Sequence, residues 1–162
     1  MLLKGNALRL MPFQPIALLV RRPLLSVSAV AALADTTSSK ITMLCEQGFP
    51  LAFDISPRAE SPHRCLRISA TSLAAWLNSP ANVRDEPAGA LDAELEMLFP
   101  EICCAYEATA VMRTLNCSSQ QMTRPIRAGY LEVKRAGRGG RGNSALLTRR
   151  SCVEFLKSRR IT

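Results

Sequence analysis

The sequence predicts an α+β fold, mainly α-helical with small β-hairpins, in which one structural unit occurs twice. Aligning Gly48 with Gly129 places similar residues opposite each other upstream, and a two-residue shift aligns "RISATSLAAWL" with "LTRRSCVEFL". In each copy a Ser- and Thr-rich turn, "DTTSS" or "NCSSQ", separates two amphipathic segments, and such residues cap helices well. Two short extended stretches joined by a Pro- or Gly-rich loop follow in each copy, which is typical of a β-hairpin.

In the first copy we expect a helix over residues 26–34 and a second helix over residues 38–47. The second helix ends at Gly48, because glycine tolerates the left-handed conformation that closes many helices. The stretches "LAFDI" and "RCLRI" are the predicted strands of the hairpin. A last helix over residues 69–78 follows, with Leu73, Trp76 and Leu77 on one face.

The second copy has the same order of predicted elements. Helices are expected over residues 105–115 and 119–128, and the second of them ends at Gly129. The strands "LEVKR" and "SALLT" precede a last helix over residues 148–159. Pro125 lacks an N–H group and clashes with the preceding turn, so it should kink the second helix or end it near Arg124.

Charge and composition divide the chain into four segments. Residues 1–23 are an N-terminal lead-in that contains a short predicted strand, or an over-extended start. Residues 24–79 form a degenerate first copy, and residues 80–101 an acidic linker with a helix at its end. Residues 102–162 form the basic second copy. Residues 108–162 carry twelve basic and two acidic side chains, whereas residues 81–107 carry one basic and seven acidic ones. The basic end predicts a polyanionic partner, and its hairpin is expected to pair with the acidic helix when that partner is absent.

The sequence gives no signature of catalysis, metal binding or a cofactor. None of the six cysteines forms a Cys-x-x-Cys pair, and His63 is the only histidine, so a zinc site and a Cys-His nucleophile pair are both disfavoured. Apolar runs are too short for a membrane helix. We therefore expect a non-enzymatic cytoplasmic protein with no cofactor, no metal and no membrane partner.

The stretch "RRPLLSVSAVAALADTT", residues 21–37, has two interpretations. It has the order of an export signal: two arginines, an apolar segment and a small-residue cleavage site. However, "CAYEATAVMRTLNCSS" lies deep in the chain and follows a similar order, with small and apolar residues at helical spacing before a polar turn and serines. We interpret the first stretch as helix one of a folded unit, and an exported protein stays the alternative.

Residues 105–160 resemble the small winged helix-turn-helix DNA-binding domain of phage excisionases and MerR-like proteins. The resemblance is carried by Cys117-Ser118, by "AGYL" at residues 128–131, by the Arg-rich loop and by Phe155-Leu156. The first copy resembles the family more faintly, through Thr37-Ser38, Gly48 and Trp76-Leu77. The resemblance implies tandem winged helix-turn-helix units that bind double-stranded DNA.

In such a fold the second helix enters the major groove and the hairpin wing contacts the backbone or the minor groove. Gln120, Gln121 and Arg124 are the expected base contacts, and Arg127 a backbone contact. The whole predicted set is Ser118, Ser119, Gln120, Gln121, Thr123, Arg124 and Arg127 on the helix, Lys134, Arg135, Arg138 and Arg141 on the wing, and Arg149 and Arg150 on the last helix.

The first copy has fewer cations, so it neutralises fewer phosphates. Its accessory candidates for DNA contact are Ser38, Ser39, Lys40, Thr42, Arg58 and Arg64. The expected function is that of an excisionase-like recombination directionality factor or a small transcription regulator of a mobile element. The alternative is a packaging or interaction adaptor, similar to a small terminase subunit, in which one copy binds DNA and the other a protein partner such as a recombinase or an ATPase.

Overall fold

The computed structural model describes residues 22–48, 50–56, 64–78, 89–136 and 144–161. These residues form seven helices and two antiparallel sheets of three strands each, which confirms an α+β chain with small sheets. In chain order the elements are β1 (Leu24–Ser26), α1 (Val27–Leu33), α2 (Ser38–Glu46), β2 (Ala52–Asp54), β3 (Leu66–Ser69), α3 (Ala70–Asn78), α4 (Ala90–Leu98), β4 (Ala105–Glu107), α5 (Ala108–Thr114), α6 (Ser119–Arg127), β5 (Val133–Arg135), β6 (Leu146–Thr148) and α7 (Arg149–Ser158).

The order β-α-α-β-β-α occurs twice, and we call residues 22–78 the first unit and residues 104–161 the second unit. The strand order is β1-β3-β2 in one sheet and β4-β6-β5 in the other, so the first strand pairs with the third in both units. Equivalent hydrogen bonds recur at the offsets of the sequence repeat. The matching pairs are Ala70 N to Pro23 O and Arg149 N to Cys104 O, Ser69 N to Leu51 O and Thr148 N to Glu132 O, and Leu51 N to Ser72 Oγ and Glu132 N to Ser151 Oγ.

The turn between the two helices of each unit also has the same geometry twice. Asp35 has a φ of 45° and Asn116 a φ of 49°, a left-handed conformation that Asn and Asp adopt more readily than other non-glycine residues. Thr37 and Ser118 then cap the second helix with their hydroxyl oxygens. The repeat in the sequence therefore corresponds to a repeat in the backbone.

Two local predictions were wrong, the helical start at residue 105 and the end of the second helix near Arg124. Residues 105–107 were expected in a helix but form strand β4, because they pair with β6. Helical spacing cannot reveal a three-residue strand that is defined by a distant partner. Helix α6 also continues past Pro125 to Arg127. Pro125 lies in the last turn and is buried, so the helix gives up one hydrogen bond there and gains apolar contact.

The two faces of the first sheet belong to different apolar cores. Leu25, Ala52 and Ile68 belong to the core of the first unit. Leu24 and Phe53 belong instead to the cluster that contains Val111, Met122 and Phe155 of the second unit. The cluster on one face is therefore shared by the two units, and the first sheet is buried on both faces.

The C-terminal residues cover the outer edge of the first sheet. The Asp54 amide donates to Arg159 O (2.7 Å), and the Ile161 amide donates to Ala52 O (2.9 Å). Phe53 and Arg160 form an antiparallel bridge between these two bonds. Within the described residues, the corresponding outer edge of β5 has no strand partner. One hairpin is thus enclosed by the fold and the other is open.

Helix α4 connects the two units. Its acids pair with α7, since Lys157 Nζ lies 3.0 Å from Asp92 Oδ1 and Arg149 Nη2 lies 2.6 Å from Glu96 Oε2. Arg149 Nη1 also lies 3.6 Å from Glu101 Oε1. Asp92 and Glu96 are therefore paired with the last helix. The pairing of this acidic helix with the basic hairpin stays a prediction, because the arginines of the hairpin loop lie outside the described residues.

Glu94 on α4 is buried, and its Oε1 has no hydrogen-bond partner in the described part of the chain. Burial raises the pKa of this carboxyl, and a hydrogen bond from Ser69 offsets part of the rise. A raised folded pKa means that the protein loses stability as the pH rises above about 4.3, where an exposed glutamate ionises.

We therefore expect Glu94→Gln to stabilise the chain at pH 7 and to have little effect at pH 4. Urea unfolding of both proteins across this range measures the difference. Glu101→Gln, at an exposed carboxylate, is the control. A Glu94→Gln protein that is less stable than the wild type at pH 7 would contradict the argument.

The longest described helix, α7, has ten residues. In the part of the chain that the structure describes, no helix combines the length and apolar character needed to cross a membrane.

Candidate nucleic-acid interface

Helix α6 is strongly amphipathic and exposes one polar, basic face. Met122 and Pro125 are buried, and Ile126 packs against the apolar cluster that the two units share. The opposite side is exposed to solvent and carries five of the residues expected from the sequence. They are Ser119, Gln120, Thr123, Arg124 and Arg127.

Three of these side chains are available for a partner. The side chains of Gln120, Arg124 and Arg127 form no hydrogen bond or ion pair with other described residues. Thr123 donates its hydroxyl to Ser119 O (2.8 Å), which leaves the hydroxyl oxygen as an acceptor. Long cationic and amide side chains without internal partners suit contact with a polar ligand.

Ser118 and Gln121, two of the predicted DNA contacts, hold the start of α6. The Gln121 amide donates to Ser118 Oγ (3.3 Å), and Gln121 Oε1 accepts from the Ser118 amide (2.9 Å), which is a capping box. Gln121 Nε2 also donates to Cys65 Sγ of the first unit (3.0 Å). Because its amide group is engaged on both sides, we omit Gln121 from the base contacts proposed below.

The described part of the second hairpin lies open to solvent. Val133, Lys134 and Arg135 on β5 are all exposed. Lys134 Nζ lies 3.4 Å from Cys104 Sγ. The guanidinium of Arg135 has no hydrogen-bond or ion-pair partner among the described residues. The predicted contacts Arg138 and Arg141, in the loop between β5 and β6, lie outside the described residues.

The two arginines at the start of α7 have different environments. Arg149 Nε donates to Phe99 O (2.7 Å), and its guanidinium pairs with the acids near α4, so this residue anchors the linker helix. Arg150 is 84% exposed, and among the described residues its ion pair is with Glu154 one turn later. Of the two, Arg150 is the one that an external anion can reach.

Sequence reasoning missed two further cations beside the turn. Arg22 and Arg113 line an open groove of about 700 Å³ with Asn116, Ser118 and Ser119. Arg22 Nη1 donates to Asn116 Oδ1 (3.2 Å), and Arg113 Nε donates to Thr109 O (3.4 Å). Arg113 stands in the last turn of α5, which was a usable signal, but Arg22 reaches the groove only through the packing of the two units.

The first unit presents a different surface. On α2, Met43 and Glu46 occupy the positions of Arg124 and Arg127, and Arg64 Nη1 pairs with Glu46 Oε1 (3.0 Å). Ser38, Ser39 and Lys40 are exposed and Thr42 is half-buried, but Arg58 lies outside the described residues.

The hairpin of the first unit is also enclosed. The carboxylate of Asp54 is buried, and it accepts hydrogen bonds from the amides of Ser56 (2.9 Å) and Cys65 (3.0 Å) and from the Ser56 hydroxyl. The described part of this unit therefore lacks the exposed basic strand that the second unit has.

Three cysteines, the buried Cys45 and Cys152 and the half-buried Cys117, are neutral thiols at pH 7. Burial raises the pKa of Cys45 and Cys117 to about 11 and that of Cys152 to about 12, so they behave as apolar core residues. None of the six cysteines forms a disulfide bond. Among the described residues, no group of three or more His, Cys, Asp or Glu side chains could hold a metal ion.

Comparison with known proteins gave no relative: no family model, no curated protein and no solved structure matches this chain.

Proposed function

We propose that the protein is a sequence-specific, non-enzymatic double-stranded DNA-binding protein that uses its second unit as a winged helix-turn-helix. The observation that carries the proposal is the outer face of α6, where the side chains of Gln120, Arg124 and Arg127 are exposed and have no partner among the described residues. Strand β5 adds further exposed cations. A helix of this kind fits the major groove, whose width admits one α-helix.

Each side chain has a distinct proposed role. Gln120 reads adenine and Arg124 reads guanine, since their amide and guanidinium groups match the major-groove edges of these bases. Arg127, Lys134, Arg135 and Arg150 contact phosphates, which adds affinity without sequence information. Ser119 and Thr123 contact phosphate through their hydroxyls, while Arg138 and Arg141 remain proposed contacts of the wing tip with the minor groove.

The proposed biological role is that of a recombination directionality factor or a small transcription regulator of a mobile element, acting in the cytoplasm. Both roles need a small protein that recognises a short duplex site without catalysis. We assign DNA binding to the second unit alone, because the first unit carries Met43 and Glu46 where the second has Arg124 and Arg127.

Salt dependence tests the proposal. Binding of the full chain to a duplex, measured by fluorescence anisotropy between 50 and 200 mM salt, should weaken steeply, with a log–log slope of roughly −0.9 for each phosphate contacted. Lys134→Gln with Arg135→Gln should reduce the magnitude of that slope by roughly 1 to 2. Arg64→Gln, at an exposed arginine paired with Glu46, is the control and should leave it unchanged.

A flat salt response of the wild-type protein, or an equal loss of slope in the Arg64 control, would contradict the proposed interface.

A second candidate function is that of an adaptor, in which the first unit binds a protein partner such as a recombinase while the second binds DNA. Met43, at the position of Arg124, is 51% exposed, and Leu33 on α1 is 40% exposed, so the helix pair of the first unit presents apolar side chains to solvent. An exposed apolar residue next to an acid suits a protein surface better than a phosphate backbone.

A further inference from the structure

The turn between α5 and α6 is held from outside by the first unit. Arg67, on the central strand β3, extends its guanidinium into the second unit, where Nε donates to Asn116 O (2.9 Å) and to Leu115 O (3.2 Å). These carbonyls follow the last turn of α5, where backbone acceptors have no partner within the helix. A cation at this end of a helix is also favoured by the helix dipole.

Two more contacts reach the same turn. Arg22 Nη1 donates to Asn116 Oδ1 (3.2 Å), and Gln121 Nε2 donates to Cys65 Sγ (3.0 Å). Ser118, between these two points, starts α6. The direction of α6 is therefore fixed by three contacts with residues 22–67, in addition to the local capping box.

The second unit does not hold the equivalent turn of the first unit in the same way among the described residues. Arg67 pairs with Ser26 across the first sheet, and the residue in the same register of the second sheet is Leu146, which pairs with Glu107. An aliphatic side chain cannot donate a hydrogen bond. Among the described residues, the equivalent turn of the first unit, at Asp35, receives no such bond from the second unit.

We propose that Arg67 is a positioning residue for α6, and that the first unit serves the second as a scaffold that fixes the angle between α5 and α6. This inference rests on the proposed DNA-binding function. Arg67 is half-buried and bound to three carbonyls, including its neighbour Leu66 O (3.0 Å), so it acts on affinity through the turn and contacts no phosphate. The pre-set angle removes an ordering cost from each binding event.

Two readouts on the full chain test this role. The first is amide exchange of Cys117, whose N–H bonds Met112 O (3.0 Å) within the turn; in Arg67→Gln it should speed up roughly tenfold. The second is duplex affinity well below the unfolding temperature, which should fall roughly tenfold with an unchanged salt slope. Arg67→Lys should restore part of both, because an ammonium group can reach one carbonyl. Lys157→Gln, at a cation on α7 that pairs with Asp92, should change neither.

A companion variant covers the case in which Arg67→Gln does not fold. Asn116→Gly removes the Arg22 contact and still permits the positive φ of 49° at that position, so it should loosen the turn without strain. It should speed up Cys117 exchange and lower affinity less than Arg67→Gln does.

Wild-type exchange and affinity in both variants would overturn the inference. A loss of affinity with a reduced salt slope in Arg67→Gln would also overturn it, since Arg67 would then contact DNA directly. Faster exchange in a protein that binds no duplex would leave the scaffold role standing and refute the DNA-binding function instead.

Discussion

Replacing Phe53 with alanine is expected to destabilise the chain by about 3–5 kcal/mol, the cost of removing a large aromatic side chain from a packed core. Phe53 is fully buried in the cluster shared by the first sheet and the second unit. A loss of this size is a large fraction of the whole stability of a typical domain, about 5–15 kcal/mol. Because the core is shared, both units should unfold together at a lower urea concentration.

The repeat provides a matched control at the equivalent position of β5. Lys134 is exposed, so Lys134→Ala should change the free energy of unfolding by less than about 0.5 kcal/mol. Urea unfolding followed by circular dichroism and by Trp76 fluorescence measures both variants. Two separate transitions in Phe53→Ala, with the second unit as stable as before, would show that the units do not share a core.

The same comparison explains why one hairpin is apolar and the other basic. Leu51 and Phe53 of the first unit are buried, whereas Glu132 and Lys134 of the second are exposed at the matching positions. The sequence contained a signal for this difference. "LAFDI" is almost wholly apolar, as a strand buried on both faces should be, whereas "LEVKR" carries three charges.

Most of the fold could be predicted because its signals are local. The helix caps Thr37 and Ser118 and the left-handed Gly48 and Gly129 fall where the sequence pattern placed them. Strands β1 and β4 could not be predicted, since each has three residues and depends on pairing with a strand far along the chain.

The sequence predicts which basic and polar residues belong to the candidate site, but not which of their side chains are free to contact a partner. The basic residues of the second copy are identifiable from the sequence, yet the packing decides which of them can reach a partner. Gln121 contacts Cys65, and Arg149 pairs with Glu96. Arg67 was not identified because its partners lie forty-eight and forty-nine residues away, in another unit.

Replacing both Arg124 and Arg127 with glutamine is expected to lower affinity for a duplex selected from a random pool roughly 100-fold. A well-placed arginine–guanine contact contributes about 1–3 kcal/mol of discrimination, and a lost phosphate contact weakens binding to every sequence. Both side chains are exposed and unpaired among the described residues, so folding should be unaffected. Lys40→Gln with Arg64→Gln removes two charges from the first unit and is the matched control.

The most direct test of the proposed DNA-binding face of α6 compares the wild type, the Arg124/Arg127 variant and the Lys40/Arg64 variant. Their affinities for the selected duplex and for a scrambled one are measured by anisotropy at a fixed salt concentration. We predict that the Arg124/Arg127 variant of α6 loses both affinity and the preference for the selected site, while the Lys40/Arg64 variant of the first unit keeps both. Equal affinity of the α6 variant and the wild type, or an equal loss in the first-unit variant, would contradict it.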